Sequence, residues 1–343
     1  MSGKQDNNRY AALDGLRAVS AIMVYGVHFG GPAWAPYSGW LGVQAFFVLS
    51  GFLITGMLLQ EREASGTVAM GAFYLRRAAR ILPAYSVVLC IVVLQAYIYE
   101  PFWPAVREAL PFFLTFTNEF APPTNFMPSW TLGIEWKFYL VWPLVFLLPL
   151  SWRGLAVAWA LAVAVFVINW NVRIFQASHY SVLLIGAGLA IAMQHEGLRR
   201  RLEHLSSPLA SVALLAGVVA FHVWSLDLKA LLGDGRMNIV YGALIAGLLV
   251  ALLGNNPVQQ LFGSAPLAAI GRRSYSFYLV QIIALQAFNG VILGVPPSTG
   301  GLVGAVVVGL MLADIMYRYV ELPAISAARA LLVRPKRKAA QPA

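Results

Sequence analysis

Apolar residues along this chain come in long continuous runs rather than in alternation. The hydrocarbon core of a bilayer takes about 20 such residues as one helix. Ten runs approach that length: residues 12–31, 39–60, 81–100, 130–150, 154–171, 180–195, 208–225, 238–254, 274–293 and 301–320. Continuous runs argue against an outer-membrane β-barrel, whose strands alternate lipid-facing and lumen-facing residues. The predicted fold class is all-α: a polytopic membrane protein of about ten transmembrane helices. A shorter run, 104–117, contains Pro111 and predicts an interfacial or re-entrant helix. No run copies another, so no internal repeat is read. The expected organisation is an N-terminal segment (1–11), a transmembrane domain (12–320) and a basic tail (321–343).

Composition agrees. Hydrophobic residues make up 59% of the chain and charged residues 11%, against roughly 25% charged in a soluble domain. That is too little charge to coat a soluble surface, and too much apolar surface for disorder. The net charge of +10 does not point to nucleic acid, because a membrane protein collects Lys and Arg on its cytoplasmic side. With the N-terminus inside, the inner segments hold 18 of the 24 Lys and Arg. The outer ones hold Arg107, Arg173, Lys229 and Arg236, while Arg17 and Lys137 fall within spans. Both termini are therefore expected in the cytoplasm, with the chain in the inner (plasma) membrane. The first span carries Asp14, Arg17 and His28 and no A-x-A-like site follows, so a cleaved signal peptide is not expected. The basic run Arg334, Pro335, Lys336, Arg337, Lys338 reads as an anchor for anionic lipid. Cys90 is the sole cysteine, and no H-E-x-x-H or C-x-x-C spacing occurs, so no metal is expected.

Ionisable residues inside spans are costly and usually mark function. Arg17 and His28 are eleven residues apart. They share one helix face to within about 20° and are separated by about 16 Å along the axis. Asp14 and Arg17, at i and i+3, also suit a local ion pair. Glu135, in WTLGIEWKFYL, is expected at a depth similar to that of His28, where its carboxylate would orient the imidazole; it is also near enough to Lys137 to pair with it instead. Arg76, Arg77 and Arg80 are spaced to converge on one patch. Guanidiniums suit a polyphosphate, and the positive-inside rule explains them equally well. Arg272 and Arg273 repeat the idea at the inner start of the ninth span. Ser50 and Gly51, near mid-membrane, permit close helix approach or leave room for a narrow substrate passage. Asp314 is expected to pair with Arg318 at i+4, and Glu321 with Arg318 at i−3.

Together, LDGLRA with Arg17-x10-His28, FFVLSGFLIT, FYLRRAARILPAY, WTLGIEWKFYL and SYSFYLVQ resemble the integral-membrane acyltransferase family 3, in the family's order and over about Arg9 to Glu321. The resemblance implies transfer of an acyl group, commonly acetyl, from cytoplasmic acyl-CoA to a hydroxyl of a carbohydrate or macrolide-like acceptor. It implies essential roles for Arg17 and His28, a role for Glu135, and CoA phosphates facing Arg76, Arg77 and Arg80. His28 would act as general base, and a covalent acyl-protein intermediate stays open. Two departures stand out. Gln281 occupies a position where the family often has His. The chain also ends soon after the tenth span, so the hydrolase-like domain fused in some relatives is not expected here. The competing reading is a proton-coupled transporter or flippase of a glycan or lipid intermediate, with Asp14, Arg17, His28, Glu135 and Asp314 as a relay. Inverted repeats mark many such transporters, and none is seen.

The charge bias makes the topology testable by cysteine labelling in a chain freed of Cys90. Positions near 175, 230 and 297 should react from outside, and positions near 66, 200 and 262 should not. Reversed accessibility would overturn the orientation.

Overall fold

The computed structural model describes residues 2–124, 126–148, 150–168, 177–286 and 297–333. The described residues are helical throughout, without a strand, as the apolar runs predict. Fifteen α-helices follow in chain order: α1 (Ser2–Phe29), α2 (Gly42–Ser65), α3 (Met70–Ile98), α4 (Trp103–Leu114), α5 (Trp130–Val141), α6 (Trp152–Ile168), α7 (Ala177–Ala192), α8 (Glu196–Glu203), α9 (Pro208–Val223), α10 (Ser225–Leu253), α11 (Pro257–Phe262), α12 (Ala265–Arg272), α13 (Ser274–Gln286), α14 (Thr299–Met316) and α15 (Leu322–Val333).

Among the described residues, five stretches are long and apolar enough to cross a bilayer: Tyr10–Phe29, Gly39–Ser65, Met70–Ile98, Ser225–Leu253 and Thr299–Leu332. A sixth arises if Ala177–Ala192 and Glu196–Ser206, bent by 110°, count as one span. Of the other expected spans, 130–150 and 208–225 are shorter, while 154–171 and 274–293 run into residues outside the described ones. Pro143 has no N–H to continue α5, and residues Trp142–Leu147 tighten into a 3₁₀ turn. The apolar helix α7 gives way to Glu196 and the arginines of α8. Gly233, at φ 72°, breaks α10 inside the expected outer loop, a conformation glycine adopts without cost. The expected helix over 104–117 is present as α4, with Pro111 inside it. At the C-terminal side α14 does not stop at 320. It passes through a π turn, Tyr317–Glu321, into α15, which packs on α3. Residues 322–333 are thus a docked helix rather than a free tail. The basic run 334–338 and Arg173 lie outside the described residues, as do the side chains of Lys4 and Arg9.

A helix bundle with little charge is held by close packing and buried hydrogen bonds. The tightest example is α2 along α7. A Cβ on Gly51 would run into the Leu183 carbonyl, and one on Gly186 into the Val48 carbonyl. Small residues there bring two backbones into contact, the geometry expected where lipid supplies no hydrophobic drive between helices. Around α13, tyrosines do the same work with hydrogen bonds. Tyr275 donates to the Ile81 carbonyl at 2.7 Å, and Tyr278 to the Pro128 carbonyl at 3.0 Å. From the neighbouring α1, Tyr25 donates to the Phe277 carbonyl at 3.0 Å and stacks on its ring. Outside, α14 leaves Val303, Val307, Met311 and Ile315 exposed at i, i+4 spacing. That stripe suits hydrocarbon rather than water.

Gly51→Ala or Gly186→Ala should each cost about 1–3 kcal/mol by overpacking and lower Tm in detergent. Gly56→Ala, with open space around it, should leave Tm unchanged. Equal Tm for all three would show that α2 and α7 tolerate separation.

Candidate active site

Arg17 and His28 project from α1 into different cavities, and a third cavity joins them. At the arginine end, a cavity of about 630 Å³ is lined by Arg17, Arg77, Arg80 and Arg272, with Asp14 as its one carboxylate. At the other end, a cavity of about 670 Å³ is lined by His28, His179, Lys229, Asp234 and the faces of Trp40 and Trp130. Between them lies a neck of about 110 Å³. The neck shares Arg17, Leu53, Ile54, Arg77 and Arg80 with the arginine cavity. It shares Val43 and Tyr278 with the His28 cavity. The three form a series along the face of α1 that carries Arg17 and His28.

The arginine cavity is strongly unbalanced. Arg17 donates to Asp14 at 2.9 Å, the local pair that their spacing allows. Arg77 reaches only the Met57 sulfur, at 3.7 Å, and the face of Phe73. Arg80 and Arg272 make no hydrogen bond or ion pair among the described residues. Four guanidiniums thus face one carboxylate, which Arg17 already engages. Unpaired cations in a half-buried cleft favour an anion.

Three predicted members sit elsewhere. Arg76 turns away from Arg77 and Arg80 to pair with Glu61 at 3.0 Å, across the turn between α2 and α3. Arg273 bonds Asp314 at 2.6 Å and covers the Tyr317 ring, outside the cavity that Arg272 lines. Glu135 is not beside His28. No hydrogen bond or ion pair joins the two, and Glu135 lines the neck. Lys137 does not take it either, since that ammonium pairs with Glu119. The partner of Glu135 is Ser50, whose Oγ donates to Oε1 at 2.5 Å. Tyr139, one turn after Glu135, donates to the same Ser50 Oγ at 3.3 Å. Ser50 therefore stands in the neck wall while Gly51, the next residue, meets α7. Close approach, one reading of this small pair, is realised at Gly51, while Ser50 lines the neck. Asp314 does pair with Arg318, at 2.7 Å. Glu321 does not; it is fully buried and accepts from Ser276.

Sequence reading passed over several groups. His179 is buried in the wall of the His28 cavity, with Nδ1 3.0 Å from Gln44 Nε2 and its ring against Phe47 and Trp130. Its signal was the one that drew attention to His28, an ionisable residue at the start of an apolar run. Tyr139 was visible at i+4 from Glu135. Lys229 and Asp234, paired at 2.9 Å around the Gly233 break, gave no signal beyond loop charge. Gln281 is buried, and neither of its amide atoms has a partner; it lines none of the three cavities.

Comparison with known proteins matches residues 10–318 to the acyltransferase-3 family, described as an acyltransferase domain. The chain belongs to that family. Among its relatives, peptidoglycan O-acetyltransferase OatA of Listeria monocytogenes is 25% identical over 91% of this chain and 55% of its own length. The O-acetyltransferase OatA of Staphylococcus aureus is 27% identical over 91% of this chain and 56% of its own. The chain spans about half the length of these curated relatives. No solved structure matches.

Proposed function

We propose that this family member is a transmembrane O-acyltransferase, moving an acetyl group from cytoplasmic acetyl-CoA to a hydroxyl of a cell-surface carbohydrate such as peptidoglycan. One observation carries the reading: three cavities in series, with unpaired guanidiniums at one end and a histidine among aromatic and polar groups at the other. The diphosphate of a CoA is an anion that Arg77, Arg80 and Arg272 suit, through charge-assisted and bidentate bonds. Its pantetheine arm then extends into the neck, past Arg17. The His28 cavity suits a sugar. Trp40 and Trp130 offer flat apolar faces, while Gln44, Asn238, Asp234 and Lys229 offer hydrogen bonds. A volume of about 670 Å³ falls within the usual range for small-ligand sites.

The charge bias supports an orientation with the arginine end inside and the His28 end outside. An acyl group then crosses most of the bilayer through the protein, and neither the CoA nor the sugar has to follow. His28 has no hydrogen-bond or ion-pair partner among the described residues, so its ring nitrogens are free to accept a proton. Histidine in its neutral form is the side chain best matched to a hydroxyl near neutral pH. The names of both OatA relatives support the acetyl group, and that of the Listeria protein supports the carbohydrate acceptor.

Release of CoA thiol from acetyl-CoA, in proteoliposomes carrying peptidoglycan oligosaccharide fragments on the outer side, tests this. His28→Ala should lower turnover by about 10²- to 10⁴-fold without raising KM for acetyl-CoA. Arg77→Gln and Arg80→Gln should raise that KM by about tenfold or more, as expected for losing hydrogen bonds to charged groups. Arg76→Gln, whose partner is Glu61, should change it far less. A chain that moves glycan or lipid without making CoA thiol would instead be the transporter or flippase.

A further inference from the structure

The two groups able to act as bases occupy different levels of the passage. His28 lines the outer cavity, and Glu135 lines the neck, where the outer cavity's only shared walls are Val43 and Tyr278. A single displacement, with the acceptor hydroxyl attacking the thioester directly, uses one base at the acceptor. It gives Glu135 nothing to do. Yet Glu135 is held on a hydroxyl of the protein itself, Ser50 Oγ, at 2.5 Å. Tyr139 also donates to that oxygen, at 3.3 Å. A serine hydroxyl donating to a carboxylate, within a narrow neck, is the arrangement of a nucleophile with its base. Its place is fixed from behind: Gly51 seats α2 on the backbone of α7, and Ser50, about 100° round the helix, faces the neck.

We propose that Ser50 carries the acyl group between two displacements; this rests on the acyl-CoA reading above. In the first, Ser50 Oγ attacks the thioester carbonyl and its proton passes to the Glu135 carboxylate. The carbon–sulfur bond breaks, and the thiolate takes a proton from water in the inner cavity as it leaves. The products are CoA thiol and an acyl ester on Ser50, with Glu135 protonated. In the second, the acceptor hydroxyl attacks the ester carbonyl from the outer cavity, and His28 takes its proton. The bond from the carbonyl to Ser50 Oγ breaks, and Glu135 returns its proton to that oxygen. His28 then loses its proton to outer water. Counting the hydroxide left in the inner cavity when the thiolate is protonated, atoms and charge balance in each half, and one acyl group has passed from the CoA sulfur to Ser50 Oγ and on to the acceptor oxygen. Donor and acceptor need never occupy the neck together.

The test needs no acceptor. Full-length protein in detergent is incubated with radiolabelled acetyl-CoA, and the chain is examined by intact mass and peptide sequencing. His28→Ala should gain one acetyl group per chain, on the peptide holding Ser50, and release one equivalent of CoA thiol. Glu135→Gln should gain label at least a hundredfold more slowly. Ser50→Ala should gain none. Ser50→Cys guards against misfolding: its label should be a thioester, released by neutral hydroxylamine, where the serine ester resists. The proposal is overturned if His28→Ala stays unlabelled while wild type acetylates acceptor, or if Ser50→Ala keeps wild-type turnover; either result leaves the O-acyltransferase reading standing. If wild type makes no CoA thiol with acceptor present, the donor reading fails first and takes Ser50 with it.

Discussion

Charge is scarce in this chain, and a helix bundle with apolar walls leaves few ways to keep it. An ion away from water must be paired, hydrogen-bonded or left to face a ligand. Several of the ionic groups follow the first course. Arg17 has Asp14, Arg76 has Glu61, Lys137 has Glu119, and Asp314 holds both Arg273 and Arg318. Against that background, Arg77, Arg80 and Arg272 are conspicuous because they are not paired with a carboxylate and line one cavity. The scarcity of charge is what gives those three their meaning. In a soluble protein with a charged surface, three unpaired arginines would say little.

The same economy explains why the fold is tied together as it is. Where salt bridges are few, the helices register through backbone contact at Gly51 and Gly186 and through tyrosine hydroxyls on carbonyls. Both devices set distances closely, since neither has the slack of a long ionic side chain. Tyr275 and Tyr278 both line the neck and both bond to neighbouring segments. The neck is therefore shaped by the groups that hold the bundle, and the positions of Ser50 and Glu135 are inherited from that packing.

Much of this was legible in the residues. The helical class followed from run length, and the selection of Arg17, His28 and Glu135, each of which lines one of the three cavities, from charge inside apolar runs. What failed was geometry between helices. Arg76, Arg77 and Arg80 lie on one side of a helix by spacing, but Glu61 on the preceding helix draws Arg76 away; no spacing within α3 announces that. Glu135 and His28 were assigned one depth by counting inward from span ends. The count gave a level along each helix but not which cavity each side chain enters, and Glu135 lines the neck with Ser50 while His28 lines the outer cavity. The expected end at 320 failed similarly, because a π turn carries the helix through Arg318 and Glu321 into α15. Ser50 was legible only as small. Its partners, Glu135 and Tyr139, are more than eighty residues away in sequence, and only the packed bundle names them.

The separation of Glu135 from His28 also bears on how a reaction can cross a bilayer without a leak. A continuous wide passage lined by ionisable groups would conduct protons, and a sealed one would block the acyl group. Here two roomy cavities meet at a neck of about 110 Å³, far smaller than either neighbour. Its walls hold apolar and aromatic side chains, with Ser50, Thr131, Glu135, Ser274 and the tyrosine hydroxyls as polar points beside the guanidiniums of Arg17, Arg77 and Arg80. Excluding bulk water from such a neck strengthens each polar contact within it. It also protects an activated acyl group from hydrolysis. On the proposed reading, narrowness is thus the feature that lets chemistry pass where solvent does not. It follows that widening the neck should harm acyl transfer through wasted hydrolysis of the donor even where Ser50, Glu135 and His28 are all intact.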